Sequence, residues 1–212
     1  MSDSAAAQSI RSVPQIRMDP ITALGAAGSV VGIADIAFKL AKSISKAYTE
    51  IASTEVVLQT IVDEVESMGA ALSQISDLVH AEEQNVKDGL GFKLFTKTAL
   101  FDVRKTAEKC LVVFWRIEGT ILEKAETNDF EKEIETRRIE FRRQARGKGK
   151  GTGREFVLTE GLADAATSFF RRAKWQLKGT IPKLREYCDQ LRGFQLVFTV
   201  MLATISLQTS LR

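Results

Sequence analysis

The chain has 212 residues, of which 44% are hydrophobic and 27% charged, with a net charge of +3. This is the balance of a globular domain long enough to bury a substantial core, and the length fits one domain, with or without tails. Only three prolines occur, Pro14, Pro20 and Pro182, so long helices are expected. Cys110 and Cys188 lie far apart on apolar helical faces, which gives no indication of a disulfide framework and points to buried thiols in a reducing compartment.

The charge is unevenly spread. Thr49 to Val86 carries eight acidic side chains and no Lys or Arg, whereas Arg137 to Arg154 carries eight basic side chains and the single acid Glu140. Arg171 to Arg185 adds six basic residues and no acid. Either the acidic stretch lies beside the basic ones in the fold, or a basic face serves an anionic partner, a membrane or a nucleic acid.

In chain order, residues 1–18 read as a disordered tail rich in Ser and Ala. Its serines and two arginines also fit a mitochondrial presequence. The uncharged stretch Ile21–Ala34 imitates a secretory signal only weakly, because Asp19-Pro20 and Asp35 bracket it and leucine is scarce. A first helix is predicted from Pro20 to about Tyr48, capped by Asp19. A second is predicted from Thr54 to Glu83, with Val57, Ile61, Val65, Met68, Leu72, Ile75 and Val79 on one face. Val86 to Phe95 is a glycine-bearing connection, pinned by Phe92, Leu94 and Phe95.

The third helix is expected from Thr96 to Thr127. Leu100, Val103, Ala107, Cys110, Phe114, Ile117 and Ile121 follow steps of three and four along it. Phe130 to Arg146 reads as a highly charged helix with a thin apolar stripe of Phe130, Ile134, Phe141 and Ile139. Residues 147–153, basic and alternating with glycine, form a flexible loop. The fifth helix is expected from Glu155 to Lys178, with Gly179-Thr180 as the break. The sixth starts near Ile181-Pro182 and carries Leu184, Cys188, Leu191, Gln195, Phe198, Leu202 and Ile205. Its almost uncharged end, Phe194 to Ser210, should be packed on most sides or continue into a partner. No strand pattern and no internal repeat stand out. The expected fold is all-α, an up-and-down bundle of five to six helices over residues 19–212.

The residues carry no sign of catalysis. His80 is the only histidine, no Cys/His set has metal-ligand spacing, and no nucleophile–base set can be assembled. The loop Gly147–Gly153 lacks the order of a phosphate-binding loop and follows no strand. Neither a cofactor nor a metal is expected. A nucleic-acid partner for Arg137–Arg154 is a minor alternative, because no reader motif accompanies the charge.

The first helix is unusual. Gly25, Gly28 and Gly32 each cost it roughly 1 kcal/mol relative to alanine, so they need a structural or functional return. One return is close backbone approach, with Gly28 and Gly32 on one face and Val30, Val31, Ile33, Ile36, Phe38 and Leu40 as apolar bulk. The other is entry into lipid: Ile21 to Phe38 extends about 27 Å as a helix, near the hydrocarbon thickness. Asp35 is the single charge inside it, costly in lipid unless paired. Lys39, Lys42 and Lys46 follow and suit anionic headgroups, as do Arg142, Arg143, Lys148 and Lys150 further on.

The run Asp19-Pro-Ile-Thr-Ala-Leu-Gly-Ala-Ala-Gly-Ser-Val-Val-Gly-Ile-Ala34 resembles the opening of the fungal N-terminal domain of STAND (NLR-like) proteins, the HeLo-like domain. Trp175-Gln-Leu-Lys-Gly-Thr-Ile-Pro-Lys-Leu184, with Leu191, Phe194, Leu196 and Met201-Leu202, is similar to the way that family ends. Cys110, Phe114 and Ile121 suit its middle helix. The resemblance spans residues 19–210, with the charged helix and the glycine loop as a local insertion and residues 1–18 as an extension. It implies a non-enzymatic effector of regulated cell death or incompatibility that self-associates and releases its first helix towards an anionic membrane. It also implies a STAND-type receptor domain in cis or in trans, and a cytoplasmic location with recruitment to the plasma membrane. A passive protein-interaction module at the N-terminus of such a receptor is the alternative.

Overall fold

The computed structural model describes residues 20–50, 56–88, 95–123, 128–146, 161–173 and 177–210. The tail expected at 1–18 and the loop at 147–153 lie outside them. Among the described residues there are six helices: α1 (Pro20–Glu50), α2 (Val56–Lys87), α3 (Lys97–Ile121), α4 (Asn128–Arg146), α5 (Leu162–Ala173) and α6 (Leu177–Ser210). The fold is the all-α, up-and-down bundle expected, with no strand among the described residues.

Three boundaries differ from the sequence reading. α5 spans Leu162–Ala173 rather than Glu155–Lys178, because Gly161 turns the chain at φ 78° just before it and Leu177 already belongs to α6. α3 stops at Ile121 rather than Thr127, because Glu123 turns into the left-handed region at φ 56° while Leu122 N–H donates to Glu118 O. Its start is fixed by Thr96, whose hydroxyl accepts from Ala99 N–H at 3.1 Å. α6 begins at Leu177 and runs through Gly179 and Pro182, so Gly179-Thr180 is no break. Glycine weakens a helix without ending it, and Pro182 falls in the second turn, where few ladder bonds are at stake.

Four helices form the body. α1 packs on α2 and α3, and α6 packs on the same two. α1 and α6 therefore hold opposite corners of a square. The other diagonal is crossed at its centre by Cys110 Sγ of α3, 3.7 Å from Met68 Sδ of α2. Phe95, just before α3, donates its N–H to Glu82 near the end of α2 at 3.0 Å, so these two helices run antiparallel. Arg192 bonds Glu64 at 2.6 Å and Gln195 bonds Ser67, so α6 runs parallel to α2. The seam predicted for α3 is buried throughout, as are Ile61 to Val79 of the α2 seam and Leu184, Cys188, Leu191, Phe198 and Ile205 of α6. Outside the square, α4 and α5 both lie against α1 and α3. α5 contributes Leu162, Ala166, Phe169 and Phe170 to the core, the two rings edge to face at 5.1 Å.

Candidate interaction surfaces

Small residues let α1 sit deep in the bundle. Ala34, Ala37, Ala41 and Ala47 are buried beside Val30, Ile33, Ile36, Leu40 and Ile44. Val31 and Phe38 face outward, at 47% and 44% exposure, so the expected apolar bulk is split between core and surface. The close-approach expectation is corrected at Gly32, where a Cβ would meet nothing within 4 Å. Gly25 and Gly28 are helical, and their surroundings lie outside the described side chains. The glycines that are closely approached belong to other helices. A Cβ on Gly69 of α2 would lie 3.1 Å from the Phe38 ring and 3.2 Å from Ala37 Cβ, and one on Gly119 of α3 would overlap the Phe130 ring.

Of the five described cations expected to meet anionic lipid, three are engaged within the bundle. Lys39 Nζ is 2.8 Å from Asp35, which gives the lone acid of the apolar stretch its counter-charge. Lys46 reaches Asp164 of α5 at 3.7 Å. Arg142 donates to the buried Glu108 at 2.8 Å, where Arg104 also stands at 3.4 Å. Lys42 and Arg143 lie at the surface, and Lys148 and Lys150 lie outside the described residues.

Arg142 belongs to a clamp that periodicity did not reveal. Glu108 and Glu118 of α3 are both buried. Arg137 donates to Glu118 at 2.9 Å and to Glu133 at 2.6 Å, with its guanidinium 6.0 Å from the Trp115 ring centroid. Arg116 holds Glu131 at 3.2 Å. Phe130, Ile134 and Phe141 are the apolar anchors of α4, whereas Ile139 is exposed. Arg137 and Arg142 of the basic run thus meet glutamates of α3 rather than the acid-rich α2. Buried carboxylates need such partners, so these arginines act first as structural groups.

On α6 a row of apolar side chains is left without a covering helix among the described residues. Leu196, Val197, Val200 and Leu207 are 66%, 40%, 59% and 64% exposed. The Gly179–Leu207 stretch is long and apolar enough to cross a membrane, with mean hydropathy 1.3, yet only 17% of its apolar window is buried. Thr199 and Thr204 turn their hydroxyls back to Gln195 O and Val200 O at 2.9 and 2.8 Å, which satisfies these polar groups within the helix. A sequence signal for this face exists: Gly193, Leu196, Val200, Ala203 and Leu207 repeat the steps of three and four already seen on the core side. α6 therefore carries two apolar seams, and the described helices cover one.

Among the described residues no three His, Cys, Asp or Glu side chains converge on a metal-sized site. His80 is exposed, with Nδ1 3.1 Å from Ser76 O. Cys110 and Cys188 are buried free thiols. No family model, curated protein or solved structure matches the chain.

Proposed function

We propose that the chain is a non-enzymatic helical effector domain that acts by assembly. The outer face of α6 makes the contact in the resting bundle, and α1 is released towards a membrane only after assembly. The observation that carries this reading is the α6 face on which Leu196, Val200 and Leu207 stay exposed among the described residues, since apolar side chains gathered on one exposed face suit an interaction site.

Magnitudes favour that order of events. Val30, Ile33, Ile36, Leu40 and Ile44 are buried on α1. At about 1.5–3 kcal/mol each they hold the helix with roughly 10 kcal/mol, comparable to the whole stability of a domain. α1 therefore does not leave the bundle unaided, whereas the α6 face is available without rearrangement. The resemblance of both chain ends to HeLo-like domains supplies the cell-death context, a cytoplasmic resting place and recruitment to the plasma membrane.

Expression in a fungal cell, with the chain fused to an inducible dimeriser, tests the proposal. Growth arrest is expected for the wild type and should be lost in Leu196→Lys/Val200→Lys at equal abundance. Arrest that survives the α6 substitutions overturns the role of that face. No arrest by the wild type, even when forced together, supports the second reading, a passive interaction module. That reading is favoured by Lys39 and Lys46, whose charges are engaged by Asp35 and Asp164.

A further inference from the structure

We infer that the occupant of the α6 outer face is a second copy of this chain, with the two α6 helices packed side by side and parallel about a two-fold axis. The inference rests on the reading of that face as a contact surface and adds the partner and its geometry.

The seam has the form of a self-pairing helix. Gly193, Leu196, Val200, Ala203 and Leu207 fall at alternating three- and four-residue steps, the spacing at which two helices interlock. If Leu196 is taken as a d position, Val200 is an a position, and a β-branched a residue beside a leucine at d favours two strands. The seam ends upstream at Asp189, which is held by Arg192 of its own helix at 3.2 Å.

Charge on the flanks decides between a second copy and a lipid surface, and then fixes the orientation. α2 and α3 border α6 on either side. On α2, Glu64 and Ser67 face α6, and the exposed Asp63 and Asp77 lie further out. On α3, Lys105 and Lys109 are the exposed charges among the described side chains, one turn apart, with the half-buried Asp102 a turn before them. One rim is acidic and the other carries two lysines, so anionic headgroups would be repelled along one edge. A two-fold axis parallel to α6 sets the acidic rim of each copy against the lysines of the other. An antiparallel arrangement would instead set α2 against α2, acid against acid.

The heights agree with the parallel arrangement. α2 and α3 are antiparallel, and the Met68–Cys110 contact puts Lys105 level with Ser73 and Lys109 level with Gly69. A two-fold axis along α6 keeps these levels between copies. Asp77 is then about 6 Å along the axis from Lys105 of the other copy, and Asp63 about 9 Å from Lys109, at 1.5 Å per residue. Long lysine side chains span such offsets. The seam itself is about 21 Å long, short for a stable interface, so a dimer of roughly micromolar affinity is expected.

Analytical ultracentrifugation of the full chain from about 1 to 200 µM spans that affinity. A reversible monomer–dimer equilibrium is expected, weakened at least about tenfold by Val200→Lys, a site exposed enough to spare the core. Asp77→Lys should also weaken it, and mixing that variant with Lys105→Glu/Lys109→Glu should restore pairing between the two. Leu207→Cys should cross-link to itself under mild oxidation. A chain monomeric throughout overturns the proposal, as does a dimer that survives Val200→Lys. Failure of Leu207→Cys to cross-link, with cross-linking between Gly193→Cys and Leu207→Cys instead, overturns the parallel geometry. A monomer that binds phosphatidylserine vesicles through Val200 assigns the face to lipid and also overturns the second-copy proposal, while the broader reading of α6 as a contact surface would stand.

Discussion

Gly119 is the seat of the Phe130 ring: a Cβ on Gly119 would occupy the space the ring fills. Phe130 is the first apolar anchor of α4, a helix otherwise made mostly of charge, and Gly119 is buried in α3. Gly119→Ala is therefore expected to destabilise the domain by about 1–3 kcal/mol through overpacking, although alanine is the better helix former. Denaturant unfolding of Gly119→Ala, Phe130→Ala and the pair checks this. The double variant should be less destabilised than the sum, because removing the ring also removes the clash. Additive effects would mean that the notch does not hold α4.

The Glu108–Arg142 pair gives a second expectation. Arg142 is partly exposed, so solvent moderates the pair, and Arg104 still stands by Glu108 when Arg142 is removed. Arg142→Ala should lower stability by about 1–2 kcal/mol, the cost of leaving a buried carboxylate less well satisfied. Lys42→Ala, on the exposed side of α1, should change it by less than about 0.5 kcal/mol. Thermal melts of the two variants side by side distinguish a structural arginine from a solvated lysine. Equal effects would contradict the clamp.

The bundle was legible because its core is written as periodicity. The α3 seam from Leu100 to Ile121 and the α6 seam from Leu184 to Ile205 are one-dimensional signals, and each side chain's fate follows from its place on the wheel. The expected role of Gly32 failed for a different reason. A glycine's composition effect is local, but whether another helix approaches it depends on packing, and the close approaches fell at Gly69 and Gly119, which look ordinary in sequence. The α3–α4 clamp was hidden for the same reason: Glu108 and Glu118 lie on a surface that becomes interior only once α4 is placed. Which seam of α6 stays uncovered likewise follows from α4 and α5 lying on α1's side of the square.

Gly32 offers a direct check on that correction. It lies inside α1 with open space where its Cβ would be. Gly32→Ala should stabilise the domain by about 0.5–1 kcal/mol, from helix propensity and the lower entropy of the unfolded chain. In a domain of this size that is a rise in Tm of roughly 2–4 °C. A loss of stability would restore the close-packing role to Gly32. If Gly32→Ala is stabilising yet lowers membrane activity after forced assembly, the glycine serves the released helix rather than the resting bundle.

Cys188 makes the stability of the bundle sensitive to alkali. Burial pushes its thiol up to about 11 from a reference value of 9.0, and the neighbouring Glu64 adds to the rise. Folding favours the neutral thiol, so above pH 9 the unfolded chain releases a proton that the folded chain keeps. The stabilisation is complete below the unfolded value and is lost as pH rises from about 9 to 11. Cys110, in the centre of the core, is pushed the same way by burial. Stability measured by denaturant should therefore fall across that window, and Cys188→Ala should flatten part of the fall while costing some packing at neutral pH. Below about pH 8 neither thiol of the folded chain should react at an appreciable rate with a thiolate-selective alkylating reagent, and both should react once the chain is unfolded. Rapid modification of Cys188 in the folded protein would mean that α6 leaves its groove between α2 and α3 far more readily than its buried seam implies.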